Sequence, residues 1–238
     1  MPRRERVVGA PVVPSVLWCL HCLRTAVKDR ERGEGELFTI GCKFDGAASV
    51  LCRQCSGRNA NCDQTSRGML GDAHDLHRML KWAETIFWNE NEEQVVFGLE
   101  TRELVAQACI ALCHAFDGVE LAHRKEFRLT AKKAEKLGRI IANYRESMSR
   151  RTDALERQLG PLPPRDDVRA RRQYMEDCRL RLKEFDAGYM SWQVAIRNFT
   201  RHVKRAVREY FNQEDVEGDW REHWDAMFDI FPIAFAAI

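Results

Sequence analysis

The chain has 238 residues, of which 45% are hydrophobic and 31% are charged, and its formal net charge at pH 7 is +2. This length and apolar content suit one or two globular domains with a sizeable core. The charge is less basic than that of a dedicated nucleic-acid binder. No uninterrupted apolar run approaches the ~20 residues that cross a bilayer, so we expect no membrane association.

Residues 1–67 are predicted to form a flexible basic arm followed by a cysteine-rich module. Six of the nine cysteines lie in this region, within a stretch of 44 residues. These six are Cys19, Cys22, Cys42, Cys52, Cys55 and Cys62. They include two Cys-x-x-Cys pairs, a spacing that lets both sulfurs turn toward one ion, and four thiolates satisfy the tetrahedral preference of Zn²⁺. The spacing therefore predicts a zinc module that holds one or two ions.

Two other interpretations of these cysteines are a disulfide framework and six unrelated buried thiols. Disulfides are typical of secreted proteins. The apolar stretch near the amino end is interrupted by Pro11 and Pro14 and lacks a cleavage site before the cysteines, so it does not resemble a signal peptide. The odd total of nine cysteines also favours reduced thiols inside the cell, in the nucleus or cytoplasm. If one ion is bound, its ligands are expected from the two Cys-x-x-Cys pairs.

The segment from Cys42 to Cys62, which reads C-x9-C-x2-C-x6-C, resembles the second part of the fungal binuclear zinc cluster family. In that family six thiolates hold two zinc ions, and the first and fourth cysteines bridge both. The resemblance implies that Cys19 and Cys52 bridge, while Cys22 with Cys42 and Cys55 with Cys62 each complete one ion. Cys22 and Cys42 are separated by 19 residues, where the family has six.

The same resemblance implies a DNA-binding role for basic residues of the module. Five basic side chains would then meet phosphates or base edges. These are Arg24, Lys28, Lys43, Arg53 and Arg58. In this segment basic and acidic residues are intermixed, so the charge pattern does not by itself indicate a nucleic-acid surface.

Residues 68–238 are predicted to form an all-helical domain, which makes the protein mainly α. Apolar residues at three- and four-residue steps predict a first helix from Asp72 to about Asn89 and a second from Asn91 to near Gly118. A third helix is expected from about Val119 to Leu159, where Gly160 and Pro161 provide a stop signal.

The fourth predicted helix has the clearest periodicity of the chain. Apolar residues recur there at intervals of seven without exception. They are Val168, Met175, Leu182, Tyr189, Ile196, Val203 and Tyr210. A strict seven-residue repeat predicts a left-handed, coiled-coil-like seam against another helix. We expect this helix to pair with the third as a long antiparallel hairpin over residues 119–214.

The last segment of the chain is a candidate partner-binding face. Its aromatic residues share one side of a predicted short helix, where they would either pack internally or bind a partner. They are Trp220, Trp224, Phe228 and Phe231.

No catalytic motif is visible in the sequence. It contains no phosphate-binding glycine loop, no Gly-x-Ser-x-Gly elbow and no His-Glu-x-x-His helix. Two hypotheses for function remain. The first is a zinc-stapled helical scaffold or regulatory protein that binds a partner protein or a second copy through its hairpin. The alternative is a nuclear DNA-binding transcriptional regulator of the binuclear zinc cluster type.

Overall fold

A computed structural model describes residues 19–33, 42–44, 51–88, 97–130, 134–161 and 189–213, with a few positions between 163 and 177. Most of these residues are helical, and none of them forms a β-strand, which confirms the predicted mainly α fold. The helices are α1 (Leu20–Glu31), α2 (Arg53–Gly57), α3 (Leu70–Phe87), α4 (Leu99–Glu126), α5 (Ala134–Leu159) and α6 (Tyr189–Gln213).

The described residues belong to two compact units. The first draws on Met1–Thr65, Ala73–His114 and Ile196–Ile238, and the second on Ser66–Asp72 and Ala115–Ala195. The predicted division into residues 1–67 and 68–238 stays a prediction. The cysteine module nevertheless belongs to the same unit as most of α3 and the first half of α4.

The apolar stripe predicted for the first helix of the helical domain is the buried face of α3. All six of its members are buried, with exposures of 8% or less. They are Leu76, Met79, Leu80, Ala83, Ile86 and Phe87. The period of 3.6 residues in the sequence was therefore sufficient to predict both this helix and its inward face.

The predicted boundary at Gly118 is wrong, because α4 continues through it to Glu126. Glycine costs a helix interior only about 1 kcal/mol. Burial of Val119, Glu120 and His123 just beyond it holds the helix together. The chain leaves α4 at Arg128, whose φ of 56° is left-handed, and the Leu129 amide donates to the Arg124 carbonyl at 2.8 Å. The single helix predicted over 119–159 is therefore interrupted before α5 begins.

Helix α4 is long and apolar enough to cross a membrane by length and composition, with a mean hydropathy of 1.4 over 18 residues. Half of that window is buried inside the protein, including Val105, Cys109, Leu112 and Phe116. The buried core helix of a globular protein passes the same test, so this composition alone does not indicate a membrane span.

Helix α6 contains the last part of the predicted heptad pattern, and Ile196 and Val203 of that pattern are buried, together with Trp192 and Phe199 on the same side of the helix. The Phe199 ring lies 6.4 Å from the Trp82 ring of α3, and Tyr210 lies 5.0 Å from Phe97. In the second unit, Trp192 lies 5.7 Å from Phe116 of α4. The aromatic contacts of the seam are thus made with α3, α4 and Phe97.

Pairing of this seam with the preceding long helix stays a prediction. Residues 178–188, which carry the middle of the heptad pattern, lie outside the described part of the chain. The candidate partner face at Trp220, Trp224, Phe228 and Phe231 also lies outside it. By contrast, α5 ends where Gly160 takes a φ of 81°, as the stop signal predicted.

Candidate metal centre

The six thiols of the cysteine module lie together as two overlapping groups of four. Within each group, all four sulfur atoms lie within 4.8 Å of one another. One group is Cys19, Cys22, Cys42 and Cys52, and the other is Cys19, Cys52, Cys55 and Cys62. Cys19 and Cys52 therefore belong to both groups, and every cysteine singled out from the sequence is present in one of them.

The sulfur separations match those of ligands around one ion. The Cys19 Sγ atom lies 3.5 Å from Cys22 Sγ and 3.6 Å from Cys55 Sγ, and Cys22 Sγ lies 3.6 Å from Cys52 Sγ. A zinc–sulfur bond of about 2.3 Å gives a regular tetrahedron with edges of about 3.8 Å. The observed distances are close to that edge, and each of these cysteines is a free thiol.

The two Cys-x-x-Cys pairs are positioned in the same way by two helices. Cys19 is the N-cap of α1 and Cys52 is the N-cap of α2, both with extended backbone angles. In each pair the second cysteine, Cys22 or Cys55, sits at the third helical position, so both sulfurs lie near the first turn. The Cys55 amide donates to Cys52 Sγ at 3.4 Å, an N-cap contact in which a thiol accepts.

The third cysteine of each half comes from irregular chain and is held by the capping residue. The Cys19 amide donates to Cys42 Sγ at 3.3 Å, and the Cys52 amide donates to Cys62 Sγ at 3.2 Å. The module is therefore an internal repeat, in which each half has a capping cysteine, a cysteine in the first turn and a third sulfur bonded to the cap amide.

Four of the six thiols have a raised pKa, so a nearby cation is needed for them to ionise. Hydrogen bonds with Cys22 and Cys42 lower the pKa of Cys19. The same contact with Cys19 raises the pKa of Cys22, and it raises the pKa of Cys42 to about 12. Burial raises the pKa of Cys55 and of Cys62. The protein groups alone thus disfavour the thiolate form of Cys22, Cys42, Cys55 and Cys62, whereas metal ligation needs these thiols deprotonated.

Two of the five predicted nucleic-acid contacts make bonds inside the module. Arg24 Nη1 lies 2.9 Å from Asp63 Oδ2, in an ion pair that joins α1 to the end of the module. Arg58 Nη1 donates to Thr25 Oγ1 at 2.9 Å, joining α2 to α1. These two arginines therefore connect the helices of the Cys-x-x-Cys pairs to each other and to the end of the module.

The other three predicted contacts differ in exposure. Lys28 and Lys43 are exposed, whereas Arg53 is half-buried. The Arg53 amide donates to the Lys43 carbonyl at 2.8 Å, which brings the two basic residues together beside α2.

The cysteine module is attached to the helical part of its unit by charged groups that sequence reasoning missed. Arg30 of α1 forms an ion pair with Glu103 of α4, and Glu31 lies 2.9 Å from His114 Nε2. These pairs join residues more than 70 positions apart, and charge patterning along one helix carries no signal for them.

A buried polar cluster in the second unit was also missed. Glu120 has no exposed surface, and its Oε1 accepts from the Ser66 amide at 2.9 Å, the Ser66 hydroxyl at 2.6 Å and Arg124 Nε at 2.8 Å. Nearby, His123 Nε2 lies 3.0 Å from the Tyr144 hydroxyl. The available signal was a glutamate and a histidine three apart on the apolar face of α4. These hydrogen bonds connect Ser66, α4 and α5 within the second unit.

Cys109 and Cys113 of α4 are core residues, as their position on an apolar face predicts. Both are buried, and burial raises the pKa of Cys113 to about 12. In the described part of the chain, the two cysteine groups are the sets of three or more potential ligands close enough to hold an ion.

Comparison with protein-family models, with curated proteins and with solved structures finds no match to this chain. The resemblance to the fungal binuclear zinc cluster family therefore depends on the spacing of the cysteines in the sequence alone. Six thiols within ligating distance indicate a metal centre.

Proposed function

We propose that the module holds two Zn²⁺ ions and serves as the structural staple of a non-catalytic helical interaction protein. The observation that carries this proposal is the overlap of the two groups of four sulfurs at Cys19 and Cys52. Cys22 and Cys42 would complete one ion, and Cys55 and Cys62 the other. When bound, the ions supply cross-links between chain segments and positive charge for the thiolates.

The donor set supports zinc and a structural role. Tetrahedral all-sulfur sites are typical of zinc and of iron–sulfur clusters, while thiolates also suit copper(I). Four protein ligands per ion leave no position for an activated water, so the centre is closed rather than catalytic. Reduced intracellular thiols, expected from the sequence, are consistent with each of these metals, and the experiment below distinguishes them.

Metal binding is expected to be coupled to folding of the module. Its described apolar core is small, with Leu20, Leu23 and Val27 as its fully buried aliphatic residues. Segments of this size rarely bury enough surface to fold alone. Structural zinc contributes on the order of 10 kcal/mol or more, which exceeds what such a core supplies.

The scaffold role rests on the helical part of the chain. Exposed apolar side chains occur on α4 and α6, with Leu99 84% and Met190 64% exposed. Such residues are available to a partner protein or a second copy, and the stapled module would keep α1 in place against α4 through Arg30 and Glu31. The protein would then act in the cell by binding rather than by catalysis.

Native mass spectrometry of the purified full chain tests the metal proposal and reports oligomeric state in the same spectrum. Two zinc ions per chain are expected, together with an ultraviolet–visible spectrum free of iron–sulfur absorption. A measured content of one zinc ion per chain would contradict the binuclear centre and indicate a single site with four thiolate ligands. A metal-free protein that keeps its fold in excess chelator would contradict the proposal altogether.

A second candidate, DNA binding by the module, is favoured by the exposure of Lys28 and Lys43 and by the shared-ligand grouping that the resemblance implies. Titration of duplex DNA at increasing salt tests it, since phosphate contacts make affinity fall steeply with salt. We expect K28Q/K43Q to reduce the salt dependence, and unchanged binding by this variant would remove the candidate.

A further inference from the structure

Among the helices that the structure describes, α6 has the largest net positive charge. Between Tyr189 and Gln213, α6 has five Lys or Arg residues and a single acidic residue, Glu209. The helix therefore has a net charge of +4, although the whole chain has +2. The remaining residues are, in sum, weakly acidic.

The arginines of α6 form one exposed row. Arg197, Arg201, Arg205 and Arg208 are all exposed and follow one another at steps of four, four and three residues. These steps return to the same helix face, and the row extends over about 16 Å at a rise of 1.5 Å per residue. We call these four residues the arginine row. Arg205 Nε also forms an ion pair with Glu209 Oε1 at 2.6 Å, which a phosphate group would have to replace.

The opposite face of α6 is fixed in the core of the first unit, which determines the direction of the row. Its inward residues have exposures of 7% or less. They are Ile196, Phe199, Val203, Ala206, Val207 and Phe211. Because this apolar face is buried against Trp82 and Phe97, the helix cannot turn its arginines inward without exposing aromatic rings.

The composition of the exposed face favours a polyanion over an acidic protein. Along the row itself, within the described residues 197–212, no large hydrophobic side chain is exposed, and a protein interface needs a desolvated apolar centre. The exposed Met190 and Val194 lie on the same face, one to two turns before the row. A phosphate backbone needs charge and hydrogen-bond donors, and the planar guanidinium binds phosphate through two parallel bonds. Without exposed aromatic rings to stack on bases, contact with unpaired bases is disfavoured.

We propose that the arginine row binds the phosphate backbone of double-stranded nucleic acid without reading its sequence. This inference goes beyond the proposed function, because none of the four arginines belongs to the cysteine module. The proposal depends neither on metal binding by the cysteine module nor on DNA binding by that module.

The test is fluorescence anisotropy of the full-length, metal-loaded protein with a labelled DNA duplex between 50 and 200 mM salt. The variant R197Q/R201Q/R205Q removes three charges from the row, and R139Q/R145Q/R157Q removes three exposed charges from α5 as a matched control. Three lost phosphate contacts lower the slope of log K against log salt by about 2.7 and weaken binding on the order of a hundredfold at 0.1 M salt. The α5 control is expected to keep the slope of the wild type.

The remaining outcomes of the experiment either support or overturn binding of nucleic acid by the arginine row. No binding at 50 mM salt, or equal losses in the two variants, would overturn the proposal. Competition by polyglutamate as strong as by duplex DNA of equal charge would overturn it in favour of an acidic protein partner.

If the glutamine variant does not fold, R197K/R201K/R205K keeps the charge and is expected to keep the slope. Parallel titrations of RNA and DNA duplexes show which backbone is bound, and an effect of K28Q/K43Q alone would assign binding to the module instead.

Discussion

Replacing a shared cysteine should remove both metal ions, whereas replacing an unshared one should remove one. Cys52 belongs to both groups of four sulfurs, while Cys62 belongs to the second group alone. The C52S substitution leaves three sulfurs in each group. The C62S substitution leaves the first group complete, because its four members are all retained. The two variants are matched, since they change the same residue type in the same half of the module.

The expected metal content follows from this count. Wild-type protein should hold two zinc ions, C62S one and C52S none. Apparent binding free energies of structural zinc are on the order of 10–16 kcal/mol at neutral pH, so the complete group in C62S should remain filled at submicromolar free zinc. A group that has lost one of its four thiolates should release its ion to a chelator that leaves the wild type unaffected.

Native mass spectrometry after graded chelation measures these stoichiometries directly. C22S provides an internal check, because Cys22 belongs to the first group alone and should behave like C62S. Retention of one ion by C52S, or loss of both by C62S, would refute a shared cluster. If the wild type holds one ion and both C62S and C42S keep it, the ligands are the two Cys-x-x-Cys pairs.

Three further predictions concern folding of the two units. Chelation should raise amide hydrogen exchange in residues 19–65, because folding of the cysteine module depends on the metal, while α3 to α6 stay protected. An equal rise in exchange across the whole chain would contradict this dependence. The G68A substitution should lower stability by about 1–3 kcal/mol, because a Cβ atom would lie 2.8 Å from His123 and 2.9 Å from Met148; an unchanged thermal midpoint would count against this packing. Partial desolvation, together with the positive charges of His74 and Lys81, lowers the pKa of His77 below 6.5, although its side chain is exposed. The folded state therefore binds the proton less well than the unfolded state, and stability should fall by a small amount as pH drops below 6.5. Urea unfolding of H77Q should lack that part of the pH dependence, and identical pH profiles for both proteins would exclude it.

Features that depend on local sequence were predictable. The buried stripe of α3 and the inward positions of α6 repeat at helical intervals, so each window of sequence contains its own signal. Gly160, with its left-handed φ, ended α5 as expected. The candidate ligands were equally accessible, because the spacing within each Cys-x-x-Cys pair brings the two sulfurs of that pair together and four thiolates suit one zinc ion.

Features that depend on distant contacts were not predictable. Gly118 predicts a helix end in the sequence. Burial of Phe116 and Val119 on either side outweighs the cost of about 1 kcal/mol for a glycine inside a helix. The pairing of Arg30 with Glu103 joins residues 73 positions apart. Sequence patterns within one helix give no information on such partners, and this is why attachment of the module to α4 was missed.

The long spacing between Cys22 and Cys42 is compatible with two ions, although it departs from the family pattern. Each half of the module needs a capping cysteine, a cysteine in the first turn and a third sulfur that accepts from the cap amide, and both halves have this geometry. In the first half the additional residues include the longer helix α1, with 12 residues against five in α2. Closing a loop of 19 rather than six residues costs about 1 kcal/mol in chain entropy. That cost is small beside the 10 kcal/mol or more from one structural zinc ion, so ligand geometry rather than loop length decides whether the second site forms.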